Sequence, residues 1–230
     1  MQGSVGDLLR SACIDGAKYR QTDIVGKVLA HISLLPYLGL FYQTAVVYSR
    51  REISEGLFLL GSLVNIACGR FLKKAIHQVR PVGTCEALGI CDKPGMPSSH
   101  CQVMFFLLGL ELLQVCRKRY KFRQDSWQCL GQFSTTLMYS TASLLVAYSR
   151  VYLGYHDLLQ VLAGAAAGLC MAAVCFGLTS LIAGYFPAWQ QLRLGKLVRV
   201  KDTWHINDVL LFEYNSTVQS GTKKVSVKQM

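Results

Sequence analysis

Five apolar stretches, each close to the length that crosses a bilayer, constrain this chain more than any other feature of its sequence. They cover roughly Val28–Tyr48, Ile53–Leu72, Cys101–Cys116, Leu130–Tyr148 and Leu158–Ala183. A helix needs about 20 apolar residues to span the hydrocarbon core. Pro36 lies inside the first stretch, the third is short, and Ser and Thr soften the fourth. In lipid each backbone polar group must be satisfied within the protein, and long apolar segments achieve this as helices. The expected fold class is all-α: a polytopic membrane helical bundle of about five transmembrane helices.

Charge sets the expected orientation. Only 16% of residues are charged, yet the formal net charge is +11, where soluble domains carry about a quarter charged residues. Five crossings put the N-terminal segment and the loops around residues 73–100 and 149–157 on one face. "SRRE" (49–52), "RKRYKFR" (117–123) and the C-terminal tail fall on the other. That second face holds Arg50, Arg51, five bases within 117–123 and seven more in the tail. Positive residues favour the cytoplasm, so the first face is expected across the membrane, lumenal or external.

The chain divides into an N-terminal segment (1–27), a transmembrane domain (28–186) and a cytoplasmic C-terminal tail (187–230). The N-terminal segment carries Asp7, Asp15, Lys18 and Arg20 and does not read as a signal peptide. In the tail, "KDTWHINDVLLFEY" is too short and polar to span. It is expected to pack on the bundle or lie at the interface, with "SGTKKVSVKQM" as a flexible end. "RKRYKFR" reads as a topology determinant and anionic-lipid contact, with no nucleic-acid role.

The nine cysteines are scattered, without CxxC or zinc-like spacing. Cys85 and Cys91 share one polar loop on the first face, where a disulfide and two free thiols are both open. Gly164-Ala-Ala-Ala-Gly168 suits close helix packing within the chain. The Asn215-Ser216-Thr217 sequon falls on the cytoplasmic side and is expected to be unused. His31, His77 and His205 have no partner pattern.

Three polar stretches meet on the first face. Lys73 and Arg80 are two helical turns apart and share a side while the helix lasts; Pro81 ends that element. Alone, they are a basic helix end. Ser98 and Ser99 of "MPSSH" suit an N-cap, but a cap does not explain His100 at the mouth of a membrane helix. Arg150 and His156 flank the start of the fifth stretch, and Gln160 lies one turn beyond His156. Asp157 suits the helix dipole. The combination fits a phosphate: cations and a helix N-terminus hold the oxygens, and two histidines supply a nucleophile and an acid. No carboxylate cluster on this face suggests a metal.

These residues resemble the type 2 phosphatidic acid phosphatase superfamily. The matching pattern is Lys73, Arg80-Pro81, then Pro97-Ser98-Ser99-His100, then Ser149-Arg150 and His156, in order and with matching spacings. Within the superfamily "GMPSSHCQVMFF", "YSRVYLGYH" and "VKDTWHINDVLLFEY" are most similar to the dolichyldiphosphatases, and also to the plant gamma-type lipid phosphate phosphatases. The resemblance implies that His156 attacks phosphorus and carries a phosphohistidine. It implies that His100 protonates the leaving oxygen, and that Lys73, Arg80, Ser98, Ser99 and Arg150 hold the phosphoryl oxygens. Neither metal nor other cofactor is implied.

Two positions depart from the family pattern. Ser99 stands where Gly is usual, and Gln160 where an Asp orients the nucleophile. A Gln oxygen can accept the Nδ1–H bond and fix the tautomer but brings no charge. The implied protein is an endoplasmic-reticulum membrane phosphatase with a lumenal site, acting on dolichyl diphosphate. The alternatives are a phosphatidate or lipid phosphate phosphatase, with a plastid envelope as its location, and an inactive lipid-phosphate binder.

Overall fold

The computed structural model describes residues 9–11, 18–20, 22–81, 85–86, 89–121, 126–206 and 208–228. Asp7, Cys13, Asp15 and Arg123 lie outside them. Helices dominate: α1 (Ile24–Ile32), α2 (Leu35–Arg50), α3 (Ile53–Ile76), α4 (Ser99–Lys121), α5 (Ser126–Tyr152) and α6 (Leu158–Ile182). Two short helices, α7 (Phe186–Gln191) and α8 (Arg193–Val198), lead to the tail helix α9 (Val209–Lys228). The tail end expected to be flexible is therefore helical through Lys228. An unforeseen element is a small antiparallel hairpin, β1 (Leu9–Ser11) with β2 (Lys18–Arg20).

The first apolar stretch is split in two. Asp23 caps α1 by accepting the Gly26 N–H at 2.8 Å. Its end turns at Ser33, whose hydroxyl donates to the Ala30 carbonyl. Pro36 then falls in the first turn of α2, where its missing N–H costs nothing.

Among the described residues, four helical segments are long and apolar enough to cross a membrane: Ile24–Arg50, Ile53–Ile76, Ser99–Lys118 and Leu158–Gln191. Helix α5 is less apolar, yet its 27 residues span about 40 Å at 1.5 Å per residue. Its start lies beside the tail, where Gln128 donates to Asp208. Its end lies at the opposite end of the bundle, where Tyr152 reaches Asp23. It makes the fifth passage.

Helix α4 is the centre of the bundle. Val103, Phe106, Leu107 and Leu110 are buried in one cluster with Phe58 and Ala172. Helix α6 lies directly on α4 because Gly164 and Gly168 face its backbone. A Cβ on Gly164 would sit 2.5 Å from the Ser98 carbonyl, and one on Gly168 would meet the Gln102 carbonyl and the Phe106 N–H. The small-residue pattern is an intramolecular contact. Large apolar side chains elsewhere, such as Phe41 and Leu181, point outward.

The tail packs on the end of the bundle remote from α1. Trp204 is buried against Phe58, Phe176 and Phe186. The Arg117 guanidinium stacks 3.8 Å over its ring. The Lys201 carbonyl accepts from the Ile53 N–H at 3.1 Å, and the Lys201 N–H donates to Arg51 at 2.8 Å. Glu52 accepts from both Arg50 and Thr203. Of the two expectations for this tail, packing on the bundle is the one realised for residues 201–204.

Candidate active site

At the other end a cavity of about 370 Å³ is lined by Lys73, Arg80, Ser99, His100, Arg150 and His156. Residues up to 83 positions apart in sequence thus share one concave surface. The apolar part of its lining is formed by Pro36, Tyr37, Leu40, Ile66 and Val103. A polar headgroup can occupy one half of this space while an apolar chain leaves along the other.

Lys73 and Arg80 arrive by different routes. Helix α3 ends at Ile76, and His77 takes the left-handed conformation (φ 47°) as it closes the helix. The helix does not last to Arg80, so the shared helical face stops before it, four residues earlier than Pro81 implies. Arg80 reaches the site from the following loop, donating Nε to the Lys93 carbonyl at 3.1 Å and Nη1 to the Tyr155 carbonyl at 2.8 Å. Lys73, in the last turn of α3, points its Nζ at the Pro94 carbonyl, 3.5 Å away. Between α3 and α4 a disulfide joins Cys85 to Cys91, with Cα atoms 4.8 Å apart. That resolves the two options for these cysteines.

Ser99 and His100 form the first turn of α4, which starts two residues before the apolar stretch did. Ser98 precedes it, fully buried, with its Oγ making no bond to the helix backbone. It is therefore not the side-chain cap expected from its position. The His100 ring stands edge-on to Tyr37 with centroids 5.8 Å apart.

His156 is 3% exposed, and its tautomer follows from its neighbours. Gln160 Nε2 donates to the Val79 carbonyl at 2.9 Å, which turns Oε1 toward His156 Nδ1, 3.0 Å away. An amide oxygen can only accept, so Nδ1 carries the proton and Nε2 keeps its lone pair. Asp157 is occupied elsewhere: it caps α6, accepting from the Gln160 N–H at 2.8 Å. Burial, then the charges of Arg150 and Arg80, push the His156 pKa far below the ordinary imidazole value, against a smaller opposing effect of the Gln160 bond. The imidazole is neutral at physiological pH.

Arg150, in the last turn of α5, is 4% exposed. Its guanidinium lies 4.1 Å over the Tyr155 ring. Four residues of this site were not singled out from the sequence: Arg70, Tyr37, Tyr155 and Gly95. Arg70 lines the cavity from α3 and had one signal, its helical spacing of three from Lys73. Tyr37 meets His100, and the Tyr155 ring meets Arg150, only after folding. Gly95 touches Gln160, where a Cβ would lie 2.5 to 2.8 Å from the amide atoms.

A membrane bundle that brings two histidines and several cations to one end is built for phosphoryl chemistry on a membrane-borne substrate. The family model of the PAP2 superfamily matches residues 55–182. The chain is 37% identical over 211 residues to "Lipid phosphate phosphatase gamma" of Arabidopsis thaliana, covering 90% of this chain and 91% of that one. It is 31% identical over 210 residues to "Dolichyldiphosphatase 1" of Mus musculus, covering 90% and 88%. The fold resembles that of the first transmembrane PAP2 type phosphatidylglycerolphosphate phosphatase from Bacillus subtilis, with TM-score 0.53 and 19% identity over 70% of this chain and 80% of that one. The chain belongs to the PAP2 superfamily. It is a multi-pass membrane phosphatase acting on lipid phosphate substrates.

Proposed function

We propose that this phosphatase removes the terminal phosphate of dolichyl diphosphate at the lumenal face of the endoplasmic reticulum. In that role it returns the carrier lipid released by protein N-glycosylation. The observation that carries the chemistry is the His156–Gln160–Val79 relay, which leaves a bare Nε2 in a cavity lined by Lys73, Arg80 and Arg150.

In this reading His156 Nε2 attacks the terminal phosphorus. The bond to the bridging oxygen breaks, its electron pair stays on the departing lipid phosphate, and protonated His100 supplies the proton. His100 then takes a proton from water, whose oxygen attacks phosphorus while the P–N bond breaks and returns its pair to His156. Lys73, Arg80, Arg150, Ser98, Ser99 and the α4 N-terminus hold the oxygens. No metal enters this sequence of steps.

Gln160 supports a diphosphate substrate. A neutral partner stabilises an imidazolium less than a carboxylate does, so the nucleophile is less activated. A departing phosphomonoester is a better leaving group than an alkoxide and tolerates this. The similarity to Dolichyldiphosphatase 1 points the same way. The Cys85–Cys91 disulfide beside the site supports an oxidising compartment on that face. The basic residues at the opposite end support a cytoplasmic tail.

The 37% identity to a plant lipid phosphate phosphatase favours a second reading, the same chemistry on a phosphatidate-like monophosphate. Purified protein in detergent with EDTA, given dolichyl diphosphate or phosphatidate beside His156→Ala, separates them. The proposal expects EDTA-resistant release, faster from the diphosphate and absent in the variant. Faster release from phosphatidate would move the assignment to the second reading.

A further inference from the structure

We propose that Tyr155 is a positioning residue for the two arginines of the phosphate site, held in place by the N-terminal hairpin. The inference rests on the reading of Arg80 and Arg150 as phosphate ligands.

Tyr155 contacts each arginine with a different part of itself. Its ring lies 4.1 Å from the Arg150 guanidinium carbon, and its carbonyl oxygen accepts from Arg80 Nη1 at 2.8 Å. Stacking uses the face of the guanidinium and leaves its N–H edge to fork onto oxygens. Two cations lining one cavity repel each other until an anion arrives. A shared neighbour that holds one by its face and the other through a carbonyl keeps both near the site.

The backbone around Tyr155 is itself closed on Arg150. The N–H groups of Tyr155 and His156 donate to the Arg150 carbonyl at 3.1 and 3.2 Å. Gly154 adopts φ +72°, a conformation open to glycine at little cost, and lets the chain turn back. Arg150, Tyr155 and His156 are thus tied together in one turn.

The outer end of Tyr155 is anchored by a segment distant in sequence. Its hydroxyl accepts the Lys18 N–H at 2.7 Å. The neighbouring Tyr19 is buried with Ala30 and packs on Leu153. Strand β2 therefore braces the loop from outside, and Tyr155 is only 9% exposed beneath it. The hairpin reaches the site loop through the Tyr155 hydroxyl and through Tyr19 packed on Leu153.

The test measures orthovanadate binding to the full-length protein in detergent by calorimetry, together with kcat and KM. Tyr155→Leu removes the ring face and should weaken vanadate binding about 10-fold and raise KM more than it lowers kcat. Tyr155→Phe keeps the ring, loses the Lys18 bond, and should weaken binding about two- to threefold. In an Arg150→Ala background Tyr155→Leu should weaken binding no more than Tyr155→Phe does, about two- to threefold, because the ring acts through that guanidinium and only the Lys18 brace is left to lose. Tyr155→Met, which lacks a ring but keeps an apolar bulk, replaces Tyr155→Leu if that variant does not fold. The full Tyr155→Leu effect in the double variant, unchanged binding in Tyr155→Leu, or no vanadate binding by the wild-type protein would overturn the proposal. Lack of dolichyl diphosphate turnover would instead sink the substrate reading and leave the vanadate comparison intact.

Discussion

Gln160 Oε1 lies 3.0 Å from His156 Nδ1, and the same amide donates from Nε2 to the Val79 carbonyl at 2.9 Å. The second bond orients the first. An amide free to flip would offer His156 a donor as readily as an acceptor, and the imidazole would spend part of its time with Nε2 protonated.

Exchange of this residue has separable consequences. Gln160→Leu removes the acceptor and should lower kcat about 100-fold, the scale of a displaced catalytic group, with little change in KM. Gln160→Asp supplies charge but loses the bond to Val79. It should improve monophosphate turnover relative to diphosphate turnover at least several-fold. Steady-state rates on both lipids decide it, and an unchanged ratio would remove Gln160 as an argument for a diphosphate.

Gly95→Ala tests the packing behind the relay. The added Cβ would fall 2.5 to 2.8 Å from the Gln160 amide atoms, while Gly95 is tethered by donation to the Gln78 carbonyl at 2.7 Å. Overpacking of this kind costs about 1 to 3 kcal/mol, and here relief requires the amide to shift. The expected result is kcat reduced about 100-fold with a thermal midpoint lowered by only a few degrees. Wild-type kcat in this variant would mean that the amide tolerates displacement.

How much of this was legible beforehand depends on distance along the chain. Arg150 and His156 share one short loop, and Ser98, Ser99 and His100 are consecutive, so their grouping is carried by covalent spacing. The apolar runs located the membrane helices because lipid leaves the backbone few alternatives. What escaped are long-range events. Tyr155 gains its surroundings from Lys18, 137 positions away. Trp204 becomes core because Phe58 and Phe186 leave it a place. Pro81 marks a helix end at Arg80 in the sequence, but nothing in α3 signals the earlier end at His77, which closes with φ 47°.

Acid should destabilise the empty enzyme through His156. Burial and the nearby arginines depress its pKa in the folded state, whereas the unfolded chain titrates near 6.5. The unfolded state then binds more protons, so stability is full above about pH 6.5 and falls below it by roughly 1 kcal/mol per pH unit. Thermal denaturation in detergent between pH 7.5 and 5 should display this slope, and His156→Asn should flatten it. Orthovanadate should also flatten it, since a bound anion offsets the arginine charges. Identical slopes in wild type and His156→Asn would show that another group carries the acid sensitivity.

The contact of α6 with α4 makes the last prediction. Gly168 faces the Gln102 carbonyl and the Phe106 N–H, both backbone groups in the N-terminal third of α4 that cannot swing aside. Small residues permit this approach, and in lipid close packing is a main source of helix association. Gly168→Val forces the helices apart and should cost about 3 kcal/mol or more. Separation would also pull the Ser98 N–H, which donates to the Gln160 carbonyl at 3.0 Å, away from α6, so activity should fall with stability. Detergent-corrected mass should stay the same as in wild type, because the contact is within one chain. A variant that changed its oligomeric mass while keeping its thermal midpoint would assign the glycines to an interface between copies instead.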